Sequence, residues 1–260
     1  MSYLQAIVLG IVQGLTEFLP VSSSGHLILV PHVFGWADQG QAFDAVMHIG
    51  TMAALVAYFR RELWEIATGK LSRRLTLILI AATIPAGLTG VLFGKAIEAM
   101  RSPLLIAGTL VFWGLVMWLA DRSAPPAKDS ADDPLEGIGW RKGLTVGIAQ
   151  AIALIPGTSR SGITITAGLL SGLDRATAAR FSFLLGIPIT AAAGLYKLLQ
   201  LMKTGIPSSD QGPLMAAMLA SFLSGWVAVA FLVGYLRRRS LTPFVIYRIA
   251  LALLIVLLLR

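Results

Sequence analysis

Glu17-Phe18-Leu19-Pro20-Val21-Ser22-Ser23-Ser24-Gly25-His26 is a polar run set inside an otherwise apolar segment, Tyr3 to Val30. A second apolar segment, Gly143 to Leu170, is interrupted in the same way by Pro156-Gly157-Thr158-Ser159-Arg160-Ser161-Gly162. Each reads as helix, polar break, helix. Around them lie six unbroken apolar stretches: Asp44 to Phe59, Leu75 to Gly94, Leu104 to Ala120, Phe181 to Leu198, Pro213 to Leu236 and Phe244 to Leu259. A hydrocarbon core about 30 Å thick takes about 20 residues of apolar helix, so these six are expected transmembrane helices. Unpaired backbone at membrane depth is tolerated only where protein buries it or it lines a watery cavity. The two broken segments, residues 3–30 and 143–170, are therefore expected to be re-entrant helix-loop-helix hairpins whose polar tips face each other. Kinked full spans are the rival arrangement.

Composition excludes the other classes. Of 260 residues 56% are hydrophobic and only 13% charged, where a soluble domain carries about 25%; the mean hydropathy is +0.78. The absence of cysteine removes a disulfide framework and a thiolate metal site. Met1 to Leu9 has no basic n-region and no small-residue cleavage site, so no signal peptide is expected. In a soluble protein the net charge of +8 would suggest nucleic acid. Here the position of each cation explains it. If the first hairpin enters from outside, fourteen of the 21 basic residues fall on cytoplasmic loops: Arg60, Arg61, Lys70, Arg73, Arg74, Arg122, Lys128, Arg141, Lys142, Arg175, Arg180 and Arg237-Arg238-Arg239. Lys95, Arg101, Lys197, Lys203 and Arg260 fall outside, and Arg160 and Arg248 stay at membrane depth. This asymmetry obeys the positive-inside rule with both termini outside, and no nucleic-acid partner is expected.

The chain also repeats. Leu9-Gly10-Ile11-Val12-Gln13 aligns with Val146-Gly147-Ile148-Ala149-Gln150 at an offset of 137, and the same offset lays Ser22-Ser23-Ser24-Gly25 on Ser159-Arg160-Ser161-Gly162. Phe43, Ile49, Ala53, Ala54 and Tyr58 then fall, one residue further on, against Phe181, Ile187, Ala191, Ala192 and Tyr196. Three spans and one hairpin per half invert the second half relative to the first. The expected fold is an all-α integral membrane protein with an inverted-topology repeat, residues 1–120 and 143–260, joined by a cytoplasmic linker, residues 121–142. Such repeats place their site near the midplane, where the broken helices meet.

Ionisable groups within a membrane are costly and mark function; the expected ones are Glu17, Asp44, Arg160 and Arg248. Gln13 and Glu17 share one helix face. The serine run after Pro20 offers hydroxyls and free N–H groups at a helix N-terminus, a ready anion site, and His26 could reach the same point. The second tip adds a guanidinium, whose planar fork suits phosphate, with Thr164 one turn further on. A carboxylate, an imidazole, several hydroxyls and an arginine make a plausible phosphoryl-transfer site.

At these residues the chain resembles the bacterial undecaprenyl-diphosphate phosphatases associated with bacitracin resistance, whose signatures are a Glu/Gln-xxx-Glu stretch running into a serine-glycine-histidine turn, and PGxSRSGxT. Gln13 to His26 carries the first and Pro156 to Thr164 the second. The resemblance extends to Phe43-Asp44 and to Pro243-Phe244-Val245-Ile246-Tyr247-Arg248. It implies hydrolysis of undecaprenyl diphosphate to undecaprenyl phosphate and inorganic phosphate, recycling the lipid carrier for cell-wall synthesis, with a divalent cation, Mg2+ or Ca2+. It implies Glu17, Ser23, His26 and Arg160 as catalytic residues, Gln13, Ser22, Ser24, Ser159, Ser161 and Thr164 as substrate-binding residues, and Glu17 as metal ligand. Many members carry glutamate at the position of Gln13; glutamine is no base, which leaves the acid/base or metal role to Glu17. The nucleophile stays open between Ser23, His26 and a Glu17-activated water. The expected location is the bacterial plasma (inner) membrane with the site facing the extracytoplasmic side, among membrane lipid; a homodimer is left open.

Structural roles compete. Arg160 could merely pair with Glu17 across the tips, Asp44 could cap its helix, Arg248 could snorkel to the cytoplasmic surface, and His32 and His48 read as structural. A transporter or lipid-carrier translocase is the alternative function, because facing broken helices in inverted repeats are also a transporter architecture.

Overall fold

The computed structural model describes the chain except residues 38–39, 71, 127–132, 205–206 and 260, and except the side chains of 40–42, 44, 45, 98, 197, 198 and 200–204. Lys128 and Arg260 and the side chains of Asp44, Lys197 and Lys203 thus lie outside the described residues. The described residues form eleven helices: α1 (Tyr3–Phe18), α2 (Ser23–Phe34), α3 (Gly40–Tyr58), α4 (Arg60–Ala67), α5 (Arg73–Ala99), α6 (Pro103–Arg122), α7 (Trp140–Ile152), α8 (Arg160–Leu170), α9 (Arg175–Thr204), α10 (Ser208–Leu236) and α11 (Thr242–Leu258). Segments of α5, α6, α9 and α10 are long and apolar enough to cross a membrane, while α1, α11 and Val46–Tyr58 of α3 are shorter apolar helices.

Both broken segments are helix, turn, helix. A capping box opens α1, with Ser2 Oγ accepting from the Gln5 N–H and Gln5 Oε1 from the Ser2 N–H. Pro20 closes it, holding Leu19 extended (φ −64°, ψ 142°). The N-caps of α2 and α8, Ser22 and Ser159, both have φ 72°, with ψ 107° and 111°. They are the only described non-glycine residues at positive φ, a conformation that costs a side-chain-bearing residue on the order of 1–3 kcal/mol. The two serines are 137 residues apart, the spacing of the sequence repeat. At about 1.5 Å per residue, the 16, 12, 13 and 11 residues of α1, α2, α7 and α8 each fall short of a 30 Å core.

Packing is reciprocal between the halves. α1 lies along α10, and α7 along α5. Gly10 and Gly147, again 137 apart, make these approaches: a Cβ on either would run into backbone of Ala217 or Ala82, the small-residue contact typical of membrane helices. The core beneath the tips is aromatic, with Phe18 edge-on to Phe183 at 5.8 Å and Phe59 against the same ring. Outward faces are apolar too: Ile80, Ile84, Leu88 and Val91 of α5 are exposed, as suits lipid contact and not water.

The basic loops gather at one end of the bundle. There Asp121, buried in the last turn of α6, accepts from Arg175 Nε at 2.6 Å and from the Leu241 N–H at 3.0 Å. Arg180 joins Asp133 at 2.9 Å to Glu62 at 3.6 Å. Leu135 and Ile138 of the linking segment are buried in the core.

Candidate active site

The two breaks meet. Ser24 Oγ of the first accepts from the Gly157 N–H of the second at 3.0 Å, and Ser161 Oγ donates back to the Leu19 carbonyl at 3.2 Å. Between them Glu17 is a hub: its Oε1 takes Arg160 Nε and Nη2, each at 3.4 Å, and its Oε2 takes Gln13 Nε2 at 3.2 Å and Ser23 Oγ at 3.1 Å. Gln13, Glu17, Ser23 and Arg160, from separate sequence motifs, are thus one hydrogen-bonded cluster. The pairing of Arg160 with Glu17 across the tips is present.

The cluster is incompletely satisfied. Arg160 Nη1 and Gln13 Oε1 are buried with no hydrogen-bond partner among the described residues. An orphaned guanidinium N–H carries a real cost and suits an incoming anion. Arg160 lies under the Phe18 ring, 5.9 Å from its Cζ, and its Nη1 packs against Gly186 of α9, where any Cβ would overlap it. It also stands at the first residue of α8, whose leading N–H groups lack intrahelical acceptors. Ser159 Oγ accepts from the Gly162 N–H at 3.2 Å and lies 3.4 Å from Ser161 Oγ. Ser22 Oγ pairs with Ser24 Oγ at 3.0 Å.

Two expected site residues face elsewhere. Thr164 Oγ1 bonds the Arg160 carbonyl at 2.7 Å and Ser182 Oγ of α9 at 2.6 Å, with no exposed surface. His26 holds the Ser22 carbonyl through Nδ1 at 2.8 Å and meets the Tyr247 hydroxyl through Nε2 at 2.7 Å, its ring stacked on Tyr247. A carbonyl only accepts, so Nδ1 carries the proton and in the neutral ring Nε2 accepts from Tyr247. His26 therefore braces the serine turn and makes no bond to Glu17.

A cavity of about 430 Å³ reaches this cluster at Gln13 and Ser23. Gln13, Ser23 and Ser24 line one side; His32, His48 and Arg101 line the wall together with Leu27 and Ile106. The structure thus places His32 and His48, read from sequence as packing residues, on the cavity wall. It also corrects Arg248, which reaches no surface and is fully buried with its guanidinium on backbone carbonyls of α6 and of both breaks. Sequence reasoning missed Gly186, Tyr247 and Ser182. A signal existed only for Tyr247, within the quoted Pro243 to Arg248 run.

Among the described residues no three His, Cys, Asp or Glu side chains come together. The donors available to a cation are all hard oxygens: the Glu17 carboxylate and the orphaned Gln13 Oε1. Oxygen donors of this kind would suit a hard divalent cation such as Mg2+ or Ca2+.

The sequence model of the bacitracin resistance protein BacA family matches residues 6–254. The chain is similar to proteins named undecaprenyl-diphosphatase: 48% identical to that of Geotalea daltonii, covering 98% of this chain and 97% of that protein. Identity is 49% to that of Moorella thermoacetica, covering 98% and 97%, and 45% to that of Geobacter sulfurreducens, covering 96% and 95%.

Proposed function

The chain belongs to the bacitracin resistance protein BacA family, and from that premise and the geometry of the two breaks we propose how it works. It is a multi-pass membrane hydrolase that converts undecaprenyl diphosphate to undecaprenyl phosphate and inorganic phosphate, recycling the lipid carrier used in cell-wall synthesis. The observation that carries the mechanism is Glu17, which holds the hydroxyl of Ser23 on one carboxylate oxygen and Arg160 on the other.

The terminal phosphate docks beside the Arg160 guanidinium and the first N–H groups of α8, which stabilise the charge on its oxygens. Ser23 gives its proton to Glu17 and attacks in line; the Oγ–P bond forms as the bond from phosphorus to the bridging oxygen breaks, Glu17 passes the proton to the departing oxygen, and undecaprenyl phosphate leaves with Glu17 ionised again. Water, its proton taken by Glu17, then attacks phosphorus, the Oγ–P bond breaks, Ser23 recovers its proton and phosphate departs. His26, tied at both nitrogens, holds the Ser22–Ser24 turn while Ser23 acts. Gln13 and Glu17 would hold a divalent cation, Mg2+ or Ca2+, which supplies charge neutralisation for the diphosphate. Ser22, Ser24, Ser159 and Ser161 set the relation of the two turns; Thr164, through the Arg160 carbonyl, sets the start of α8.

In the membrane we propose six spans, α3, α5, α6, α9, α10 and α11, and two re-entrant hairpins, α1–α2 and α7–α8, as an inverted repeat in the bacterial inner membrane. Matched serine conformations, matched glycine contacts and reciprocal packing support the repeat; the clustering of basic loops at one end supports a cytoplasmic assignment for that end and an extracytoplasmic cavity mouth. A homodimer stays part of the proposal, decided by mass in detergent.

The test is phosphate release from the C55 diphosphate by purified protein in detergent, with and without EDTA, beside Arg160→Ala. Detergent has no two sides, so a carrier without hydrolysis would release nothing. Release by the wild type, lost in Arg160→Ala and restored after EDTA by Mg2+ or Ca2+, is expected; undiminished release in Arg160→Ala refutes the site.

A further inference from the structure

Among the described residues Arg248 is the bulkiest fully buried side chain, and no ion pair accompanies it there. Its guanidinium instead collects backbone carbonyls from three segments. Nε donates to Leu110 at 3.0 Å; Nη2 to Thr158 at 3.1 Å, Gly157 at 3.3 Å and Thr109 at 3.4 Å; and Nη1 reaches Pro20 at 3.5 Å. Leu110 and Thr109 belong to α6, Pro20 to the first break, Gly157 and Thr158 to the second. Burying a charge is costly, and packing alone would be served by an apolar side chain of similar volume.

The carbonyls explain it. No described peptide bond is cis, so each carbonyl points opposite to the N–H that follows it. With Pro20, Gly157 and Thr158 turned to Arg248, the N–H groups of Val21, Thr158 and Ser159 face the other way. Val21 and Thr158 spend theirs on Leu19 and Ile155, closing the two turns. That of Ser159 points away from Arg248, beside the leading N–H groups of α8. The same carbonyls aimed at a bound phosphate would repel it. The geometry points to Arg248 as a positioning residue for phosphoryl transfer: by drawing the carbonyls of both breaks onto its far side, it leaves the phosphate locus facing N–H groups and the Arg160 fork. The fit is close, since a Cβ at Gly162 would stand 2.9 Å from Arg248 Nη1. This role rests on the proposed phosphatase reading.

Arg248→Lys and Arg248→Met separate positioning from mere support, because KM for the polyprenyl diphosphate and the inhibition constant of inorganic phosphate do not depend on how much of the protein is folded. Lysine keeps the charge but concentrates its donors on one nitrogen and cannot serve three segments. In variants that elute and melt like the wild type, kcat is expected to fall by at least about 100-fold, with the phosphate inhibition constant and KM both raised about tenfold or more. Gly162→Ala, which displaces Nη1 without deleting it, is expected to raise the phosphate inhibition constant in the same direction and decides the matter if both Arg248 variants fail to fold. Wild-type KM and phosphate inhibition in folded Arg248→Lys, or in Gly162→Ala when that variant decides, overturn the proposal. So does a loss of rate that merely tracks loss of folded protein. If the wild type releases no phosphate, the activity reading fails by itself; inorganic diphosphate raising the melting temperature of the wild type but not of Arg248→Lys then upholds the positioning role, and equal shifts or none overturn it.

Discussion

Replacing Glu17 and Arg160 by glutamine, singly and together, separates what their contact does for the fold from what it does for phosphate. In Glu17→Gln the guanidinium keeps its burial and loses its counter-charge; in Arg160→Gln the carboxylate does. An uncompensated charge in a fully buried pair costs about 3–5 kcal/mol. Here the side chains retain 12% and 11% of their surface and the contacts are 3.4 Å long, which places the expected loss at the low end, about 3 kcal/mol for each single variant. The double variant has neither charge to strand, and Gln-to-Gln contacts replace the ion pair, so about 2 kcal/mol of that loss should return as coupling. Phosphate release should not return with it: losing the proton acceptor costs about 10²–10⁴ in rate, and losing a preorganised donor to the phosphoryl oxygens about 10²–10³. The assay is unfolding by SDS titration in mixed micelles, run beside phosphate release on the same three preparations. A double variant that recovers activity along with stability would reduce the pair to a structural strut and refute the mechanism; single variants within tenfold of wild-type rate would do the same.

Three further outcomes are expected. Gly186→Ala puts a Cβ 2.8 Å from Arg160 Cζ; the guanidinium must shift, phosphate release should fall about tenfold in kcat/KM, and stability should drop by about 1–3 kcal/mol of overpacking. Tyr247→Phe removes the hydroxyl 2.7 Å from His26 Nε2; stability should fall by about 1 kcal/mol with kcat held within about threefold, whereas a tenfold change would make His26 a participant in proton transfer and not a brace. Asp121→Asn removes the charge facing Arg175 and leaves one acceptor oxygen where the carboxylate serves both Arg175 and the Leu241 N–H; SDS titration should show a loss of about 2 kcal/mol while kcat and KM stay at wild-type values.

Much of the architecture was legible because lipid makes polarity conspicuous. A glutamate, a proline and three serines within an apolar run can only be a break, and the structure places α1 and α2 on either side of it; the same holds for α7, α8 and Arg160. Legibility failed where a residue's direction mattered and not its presence. In α11 nearly every side chain is apolar, whether it meets lipid or protein, so the pattern has no polar face from which to read rotation. Arg248 near the start of that helix looked free to reach the surface, yet its face of the helix turns inward to the two breaks. The direction of His26 and Thr164 was illegible in the same way: a spacing puts a side chain near a turn, but carbonyl and hydroxyl partners contributed by Ser22, Tyr247 and Ser182 decide where it points. Gly186 carried no local signal, since its function is to be absent beside an arginine 26 residues away.

The packing of α1 on α10 also has a timetable. The first hairpin is made first, but the helix that covers its Gly10 face begins at Ser208, and Arg248 comes later still. At roughly 5–20 residues per second of translation, about 10–40 s separate the synthesis of Glu17 from that of its neighbours in α10. During that interval the hairpin has no groove to enter, and its carboxylate waits without Arg160 for most of it. Insertion of this chain is therefore out of step with its synthesis: the opening residues must be kept at the membrane surface, or sheltered by the insertion machinery, until the closing helices arrive. Chains stopped before residue 208 should leave the N-terminal hairpin accessible to protease, however well the helices between have crossed.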